Sequence, residues 1–507
     1  MVETKIVSFD VLTEKLAEVR KENKRIVLCN GMFHSLHVGH MRYLRRARDH
    51  GDIVVVSITG DKWIEENSHT GFEEGLRAEA VASLDMIDFV VINPFKEVVE
   101  LIERIKPTVF MRGFESAENG IDKERATEQE KMILEKIGVE LVVGEEYDFT
   151  STVQINRYLS SLPEDIQNYL RIFKQRYSID ELLRTVSSMK DLKVMVIGDT
   201  ILDEYRYCTA IGKSSKDPTL VLKYESSDVF AGGVLAVANH VANFVGRVDL
   251  VTVLGQVEGR EGFIRAHLKE NIRPQFVLRP NAPTLTKQRF LDGYSMNKLL
   301  EVYIMDDSSL DEQREKEFFD LVKAKTLEYD LIIAADFGHG AISSNLRNLL
   351  SESARFLAVN AQSNAGNRGY NNITKYRKAD YVSIAEHEIR LELRDLTGKL
   401  WPMVNLLAER MGCRKFAVTR GQKGCLVHDR QEGGFIQVPS FAQRVIDRVG
   451  AGDAFFAITS LAAVLDAPAE VTGFFGNVAG SLAVEIMGNQ KSVGYQKIID
   501  YLHRLLS

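Results

Sequence analysis

Short apolar runs alternate with amphipathic stretches through the first 160 residues. The apolar runs predict strands at 25–29, 52–58, 89–92, 109–111 and 141–143. Helical periodicity predicts helices at 41–50, 74–84, 96–105 and 124–137. This alternation predicts a parallel sheet with helices on both faces. In such sheets ligands bind beyond the carboxyl ends of the strands.

The same kind of pattern returns after residue 190. Strands are predicted at 193–197, 219–224, 331–335, 380–384 and 415–419, the second of them alternating as a half-exposed strand does. Helices are predicted from 231–239, 454–465, 470–488 and 493–506. The first strand is expected to end at 198–203, where carboxylates either hold the hydroxyls of a polyol or cap a turn. The second half therefore also predicts an α/β domain.

The boundary between the two patterns lies near Pro163. Residues 160–163 break a helix, and two polar helical segments with an apolar stripe follow at 164–177 and 178–190. We expect one domain over 1–161, a helical linker over 162–190 and a second domain over 191–507. A chain of 507 residues suits two or three domains.

Composition narrows the class of protein. Hydrophobic residues make up 45% of the chain and charged residues 27%, as in soluble globular proteins. The net charge of −7 argues against a basic nucleic-acid surface. No apolar run approaches the roughly 20 residues that span a bilayer, and the first residues lack a secretory pattern. Four scattered cysteines form no CxxC pair. We expect a cytoplasmic protein with no nucleic-acid or membrane partner.

Small residues precede a predicted helix at Gly450, Ala451 and Gly452. Such a loop presents backbone N–H groups and the positive end of the helix dipole to an anion. Asp453 follows immediately, where a carboxylate beside a bound phosphate can take a proton from a substrate hydroxyl. The alternative is an ordinary helix cap.

Two histidines, His37 and His40, flank Gly39 where a helix begins after the first strand. Imidazoles there can donate hydrogen bonds to phosphate oxygens as charge develops. The alternatives are a surface pair or a metal site. Metal is the weaker one, because no third ligand stands at a recognisable spacing.

The segment from Gly31 to His40 resembles the HxGH signature of the nucleotidyltransferase superfamily that includes glycerol-3-phosphate cytidylyltransferase. The resemblance implies that His37 and His40 stabilise the α-phosphate of ATP or CTP while a sugar phosphate attacks it. It also implies a set of further nucleotide contacts: Gly31, Met32, Phe33, Arg77, Arg112, Gly113, Thr150, Ser151, Thr152 and Arg157. One departure is His34, which stands where the family usually has Asp.

Four motifs of the second half occur in the order found in the PfkB, or ribokinase, family of sugar kinases: Gly198-Asp199, Gly232-Gly233, Thr419 to Gly424 and Gly450 to Asp453. The resemblance covers about 190–500. It implies a ribokinase-like α/β sandwich with a small β lid. Its first two motifs look most like those of heptose-7-phosphate kinases.

The resemblance also assigns roles to residues. It implies Asp453 as the general base, with Gly450, Ala451 and Gly452 as the anion hole. ATP contacts are implied for Thr419, Gly421, Gly424 and Asn477. Sugar contacts are implied for Asp199, Asp203, Gly232, Gly233 and Asn239, and Glu388 would help to organise Mg²⁺ through water.

The sequence departs from the kinase pattern in four places. Arg448 replaces the usual Thr, Ala385 stands where an NxxE motif begins, and His339 stands where the heptose kinase has Lys. An amide-rich, turn-prone segment, 360–367, replaces the usual DPK loop. These departures point to an altered or weakened kinase.

The fold class expected is α/β in two domains, a Rossmann-like nucleotidyltransferase followed by a ribokinase-like kinase. The pairing resembles the bifunctional heptose-7-phosphate kinase and heptose-1-phosphate adenylyltransferase family, in reversed order. It implies sugar-phosphate and nucleotide substrates, ADP-heptose or next a CDP-linked product, and a homodimer paired through the lid. Two alternatives stay open: an active transferase with a kinase-like domain kept for structure or regulation, and a nucleotide sensor.

Overall fold

The computed structural model describes residues 4–33, 36, 38–63, 72–96, 98–112, 134, 136–143, 162–306 and 308–506. The chain divides into two compact units, Met1–Ser161 and Leu162–Ser507. Within the described residues, no helix is long and apolar enough to cross a membrane.

The first unit is a parallel sheet with the strand order β3-β2-β1-β4-β5. Its strands are Ile26–Gly31 (β1), Ile53–Thr59 (β2), Phe89–Asn93 (β3), Val109–Arg112 (β4) and Glu140–Val143 (β5). Its helices are Phe9–Lys21 (α1), Val38–Asp49 (α2), Glu74–Ala82 (α3) and Val98–Ile105 (α4). The five predicted strands are confirmed. Most of the helix predicted at 124–137 lies outside the described residues.

Both faces of this sheet are covered because alternate side chains of a strand point to opposite faces. Val27 and Cys29 of β1 pack in one cluster, which includes Leu44 of α2. Ile26 and Leu28 pack in the other, with residues of α1 and α4. The continuous apolar run of β1 is therefore that of a strand buried on both sides.

The second unit contains twelve strands among its described residues. They are Lys193–Lys213 (β6), Leu220–Gly233 (β7), Arg247–Val257 (β8), Ile272–Pro283 (β9), Thr286–Asp292 (β10), Lys298–Ile304 (β11), Leu331–Asp336 (β12), Leu357–Ala361 (β13), Tyr381–Ala385 (β14), Lys415–Thr419 (β15), Cys425–Asp429 (β16) and Phe435–Val438 (β17). Its helices are Glu164–Arg176 (α5), Ile179–Ser188 (α6), Val234–Ala242 (α7), Glu261–His267 (α8), Glu312–Lys323 (α9), Ser344–Ser353 (α10), Glu386–Leu393 (α11), Leu400–Arg410 (α12), Ala451–Val464 (α13), Ala469–Ala483 (α14) and Tyr495–Leu506 (α15).

Strand β6 belongs to two parts of this sheet. Its first residues pair with β8 and β12 in the core, and its later residues pair with β7 and β10 in a lid that β11 completes. The expectation that the strand ends at 198–203 is therefore wrong. At the junction, a Cβ on Gly198 would lie 2.0 Å from the carbonyl oxygen of Ala335, so only glycine fits there.

Helices cover both faces of the core sheet. Val194 and Val196 of β6 pack in one apolar cluster, together with residues of α5 to α7 and α13 to α15. Met195 and Ile197 pack in the other, with residues of α9, α10 and α12. The unit is thus a three-layer α/β sandwich with a β lid, as the fold class predicted.

The segment 162–190 is part of the second unit. Ile166, Leu170 and Phe173 of α5 lie in its core cluster, and the Phe173 ring stacks on that of Phe474 at 4.2 Å. The apolar stripe seen in the sequence therefore packs against α14. The structure gives this segment a place in a core, whereas the sequence suggested a linker.

Phe173→Ala should destabilise the second unit by about 3–5 kcal/mol, because it leaves a cavity in a packed aromatic cluster. The chain has two tryptophans, Trp63 and Trp401. In a Trp63→Phe background, urea unfolding followed by tryptophan fluorescence reports on the second unit alone. Ile172→Ala, at a neighbouring side chain that is 41% exposed, is the control and should cost little. Equal effects of the two changes would contradict the packing described.

Candidate active sites

In the second unit, helix α13 begins in a glycine loop. Gly450 has φ 82°, and a Cβ there would lie 2.1 Å from the Oδ1 of Asn489. At Gly452 a Cβ would meet no atom within 4 Å. One glycine therefore packs against the protein, while the other leaves the helix start open. This arrangement suits an anion bound by backbone N–H groups.

Asp453 lies in the first turn of α13. Burial and the carboxylate of Asp203 raise the pKa of its carboxyl group, the ammonium of Lys287 opposes them, and the resulting pKa is about 7. A carboxylate with a near-neutral pKa is suited to accept a proton at physiological pH.

Asp203, at the start of the lid part of β6, is 4% exposed. It forms an ion pair with Arg289, and the amide nitrogen of Asn489 lies 3.5 Å from its Oδ2. A Cβ on Gly232 would lie 2.2 Å from the same oxygen. Gly232 is therefore required so that β7 can pass the carboxylate.

Two cations that sequence reasoning missed lie beside these carboxylates. Lys287 and Arg289 of β10 are two residues apart, so they share a face of the lid, and both are buried. Burial lowers the pKa of Lys287, against the pull of Asp203. In the sequence, the alternation of Lys287 and Arg289 was weak evidence for a site, because exposed lid strands also carry charged residues at alternate positions.

Asp199, whose contact with the sugar stays a prediction, accepts hydrogen bonds from a backbone loop. Its carboxylate accepts the backbone N–H groups of Phe337 at 3.0 Å, His339 at 3.2 Å and Ala341 at 2.9 Å. Burial and the neighbouring Asp336 raise its pKa to about 6. Asp199 thus holds the loop after β12. No local pattern in the sequence predicts this contact, because its partners lie about 140 residues away.

Side chains of the amide-rich segment, together with the nearby Asn371, donate hydrogen bonds to the same loop. Asn364 and Asn367 donate to the carbonyl of Phe337 at 2.8 and 2.6 Å, and Asn371 donates to that of Asp336 at 2.9 Å. These side chains satisfy carbonyls that would otherwise lie buried without partners. The departure from the family's loop is therefore a connected hydrogen-bond network.

His339 belongs to this network as a neutral imidazole. Its Nε2 lies 3.2 Å from the Nδ2 of Asn364. Burial and the nearby ammonium of Lys287 lower the pKa of His339 to about 4, against the opposing effect of the Asp336 carboxylate. This position therefore supplies a neutral hydrogen-bonding group near pH 7.

Glu388 caps helix α11. Its carboxylate accepts the N–H groups of Ser363 at 2.8 Å and Ala385 at 2.6 Å, and burial raises its pKa to about 7. The predicted role in organising Mg²⁺ is not supported by this geometry. Across the described ranges, no group of three or more His, Cys, Asp or Glu side chains forms a metal cage.

Two predicted ligand contacts serve the backbone. The amide of Asn239 donates to the carbonyl of His267 at 2.9 Å and accepts the N–H of Lys269 at 3.1 Å. The amide of Asn477 donates to the carbonyls of Val438 and Pro439, both at 2.9 Å. The sugar contact of Asn239 and the adenine contact of Asn477 stay predictions, while the structure shows both side chains holding neighbouring segments.

The predicted glycine turn follows β15, after Thr419. Gly421 and Gly424 have φ values of 56° and 77°, and a Cβ on Gly424 would lie 2.0 Å from the carbonyl oxygen of Val438. Arg420 is held by Glu386 at 2.8 Å. The turn is built as expected, and its contact with ATP stays a prediction.

Arg448, the departure next to the glycine loop, is exposed two residues before Gly450. A guanidinium at this place adds a positive charge close to the start of α13, where the anion is expected. The substitution therefore favours phosphate in electrostatic terms.

In the first unit, the strand order reverses at β1. This strand pairs with β2 on one side and β4 on the other, so a crevice is expected at their carboxyl ends, Gly31 and Arg112. His40 lies in the first turn of α2, and its ring centroid is 5.1 Å from that of Phe33. A Cβ on Gly31 would lie 3.0 Å from the Phe33 ring. The predicted residues Gly31, Phe33 and His40 thus lie together at this edge, and Arg112 ends the neighbouring strand β4.

Arg77 is 1% exposed. It donates to the carbonyl of Met32, to that of Thr59 at 2.9 Å and to the carboxylate of Asp61 at 2.5 Å. The guanidinium predicted to face the nucleotide therefore ties together chain segments at the carboxyl ends of β1 and β2. Seven predicted or departing residues lie outside the described part of the chain: His34, His37, Gly113, Thr150, Ser151, Thr152 and Arg157.

Comparison with known families matches both units. The model for pfkB family carbohydrate kinases matches residues 191–494, which is more than half of the chain, and the cytidylyltransferase-like model matches residues 28–161. These matches confirm the prediction that the chain has an N-terminal nucleotidyltransferase-like domain and a C-terminal sugar-kinase domain. They place the chain among the transferases.

Individual relatives agree. The bifunctional protein HldE of Geobacter sulfurreducens is 36% identical over 124 residues, which cover 24% of this chain and 25% of that protein. HldE of Rhodopseudomonas palustris is 26% identical over 318 residues, covering 62% and 63%. The first match thus spans a quarter of the relative's length. The tetrameric inhibited form of phosphofructokinase-2 from Escherichia coli shares the fold, with 16% identity, a TM-score of 0.50, and coverage of 62% of this chain and 99% of that one.

Asp453→Asn should stabilise the second unit increasingly as pH rises from 5 to 8. Because folding raises the pKa of Asp453 from 3.8 to about 7, the protonated carboxyl group favours the folded state, and this contribution is lost as pH rises through 7. Thermal unfolding at several pH values, followed by Trp401 fluorescence in the Trp63→Phe background, measures the difference. Asp320→Asn, at an exposed carboxylate, is the control. A difference independent of pH would contradict the burial of this charge.

Proposed function

Because this chain belongs to the pfkB family of carbohydrate kinases and carries a cytidylyltransferase-like domain, we propose that it is a bifunctional sugar-activating enzyme. One unit phosphorylates a sugar or sugar phosphate with ATP, and the other transfers a nucleoside monophosphate to a sugar 1-phosphate. The observation that carries the kinase half is Asp453, a carboxylate with a pKa of about 7 at an open helix start.

In the kinase step, a sugar hydroxyl attacks the γ-phosphorus of ATP. Its proton passes to the Asp453 carboxylate as the new O–P bond forms. The bond to the β-phosphate oxygen breaks, and ADP leaves with that electron pair. The N–H groups after Gly450 stabilise the charge on the transferred group, so the protein acts mainly by positioning and electrostatics.

The sugar substrate proposed for this site carries a phosphate of its own. Asp203 is suited to accept hydroxyl protons of the sugar. Lys287 and Arg289 lie beside it, and Arg289 also pairs with Glu301. The ammonium of Lys287, on the same face of β10, would bind the substrate's phosphate. Heptose 7-phosphate is our first candidate, in keeping with the bifunctional HldE relatives.

In the transfer step, a phosphate oxygen of the sugar 1-phosphate attacks the α-phosphorus of ATP or CTP. The bond to the β-phosphate breaks and pyrophosphate leaves. His37 and His40 would donate hydrogen bonds to the α-phosphate oxygens as charge develops. The position of His40 at the start of α2, beside the end of β1, supports this role. ADP-heptose is the product we favour, and a CDP-linked sugar is the next.

Magnesium is proposed to enter with the nucleotide. The described residues supply no set of protein ligands for it, and Mg²⁺ in phosphoryl transfer is commonly held through substrate phosphates. When bound, it neutralises phosphate charge. The steps assigned above to this chain's own residues are binding, orientation and proton transfer.

We also propose a homodimer that works in the cytoplasm. Alternate side chains of the terminal lid strand β11, Leu300, Val302 and Ile304, are each at least 40% exposed, and a second copy would cover this apolar face. All four cysteines are free thiols, which suits a reducing compartment.

Asp453→Asn should abolish sugar-dependent ADP release and leave pyrophosphate release from the transfer reaction unchanged, since the two chemistries use separate residues. His40→Ala should do the reverse. Both rates can be followed by coupled assays on the full chain. If either variant lost both activities while remaining folded, the two-site proposal would fail. If Asp453→Asn kept its kinase activity and His40→Ala kept its transfer activity, the roles assigned to these two residues would also be refuted.

Lys287→Met should raise KM for the sugar phosphate by roughly 10- to 100-fold, because a charge-assisted hydrogen bond to phosphate contributes about 1.5–3 kcal/mol. The same change should affect a free sugar much less. Lys223→Met, at an exposed lid position, is the matched control. A loss of equal size for phosphorylated and free sugars would show that Lys287 does not recognise the phosphate.

A further inference from the structure

Asp447 lies three residues before Gly450, between the lid and the glycine loop. It is 6% exposed, and both of its carboxylate oxygens have hydrogen-bond partners. Two of these partners belong to the loops around the anion site, and two belong to the lid. The residue therefore joins parts of the unit that come from distant places in the sequence.

On the loop side, the carboxylate accepts backbone N–H groups. Val449 donates to Oδ1 at 3.2 Å, and Gly488 donates to Oδ2 at 3.0 Å. Val449 is followed by Gly450, whose left-handed conformation begins α13. Gly488 is followed by Asn489, which packs against Gly450. Asp447 thus fixes both chain segments that shape the anion site.

On the lid side, the ammonium of Lys298 lies 2.8 Å from Oδ1, and the hydroxyl of Tyr205 donates to Oδ2. Lys298 is the first residue of β11, and Tyr205 lies in the lid part of β6. The ammonium also lies over the Tyr205 ring, 5.4 Å from its centroid. Asp447 is therefore the point where two lid strands are fastened to the glycine loop.

We propose that the Lys298–Asp447 ion pair is a positioning device that couples the lid to the anion site. The same lid presents Lys287 and Arg289 to the sugar side. When substrate fixes the lid, the pair fixes the glycine loop, so the N–H groups of α13 reach the transferred phosphoryl group in the right geometry. This inference rests on the proposed kinase function.

The burial of Asp447 makes the pair consequential. The Lys298 side chain is 32% exposed and that of Asp447 only 5%, so removing the ammonium takes away a charge partner of a buried carboxylate, which is more disruptive than losing a fully exposed pair. Although burial favours the protonated form, the hydrogen bonds from Lys298 and Tyr205 keep the pKa of Asp447 below its ordinary value. The carboxylate therefore stays charged and continues to hold the two backbone N–H groups.

Lys298→Met keeps most of the aliphatic stem and removes the charge. It should lower kcat for sugar phosphorylation roughly 10- to 100-fold, because misplacement of a catalytic group by about 1 Å can cost that much, with a smaller change in KM for ATP. Lys298→Arg should restore most of the rate. Lys213→Met, at an exposed lid residue, is the control and should leave kcat unchanged.

Hydrogen exchange of the full-length chain supplies a readout that does not need activity. Amides of 447–452 should exchange faster in Lys298→Met than in the wild type, Lys298→Arg or Lys213→Met. Unchanged exchange together with unchanged kcat would overturn the coupling. Wild-type protein without sugar-dependent phosphorylation would refute the proposed function instead, and the exchange result would still decide whether the pair holds the loop.

Discussion

The proposed kinase site of the second unit depends on two neighbouring carboxylates, Asp203 and Asp453, at a place that is largely shielded from water. Burial and, next, the charge of Asp203 raise the pKa of Asp453. Asp453 can therefore receive a proton while Asp203 stays paired with Arg289. Such proximity is tolerated only with cations nearby. Lys287 and Arg289 supply that compensation from a lid strand, and Gly232 leaves the space that the carboxylate needs.

This constraint explains why the lid grows directly out of the core sheet. Strand β6 leaves the core at Gly198 and carries Asp203 into the lid, where β10 pairs with it and brings the two cations alongside. Asp199, just before, holds the neighbouring loop through three backbone N–H groups. Strand β6 thus carries Asp203, pairs with the strand that bears the two cations, and holds the loop after β12 through Asp199. Asp447 then ties the same lid to the glycine loop.

The sequence predicted the five described strands of the first unit, five of the twelve described in the second, and the loop from Gly450 to Asp453, because periodicity and small residues at a helix start are local signals. It could not predict the partners of Asp199, Asn239, Arg77 or Glu388, since those hydrogen bonds join segments distant in the chain or depend on a particular cap. Each of these polar residues lay in a familiar motif, yet the fold uses it to satisfy buried backbone groups. Conversely, Lys287 gained meaning only when pairing of β10 with β6 placed it beside Asp203.

The central claim is that this chain carries out both sugar phosphorylation and nucleotidyl transfer. Mass spectrometry of products tests it most directly, with wild-type protein, Mg²⁺, ATP or CTP, and a panel of sugar 7-phosphates, free sugars and sugar 1-phosphates. A bisphosphate formed from a 7-phosphate, together with a nucleoside-diphosphate sugar formed from the matching 1-phosphate, is the result we predict. Nucleotidyl transfer with no phosphorylation of any sugar would contradict it and would show that the kinase fold is kept for another purpose.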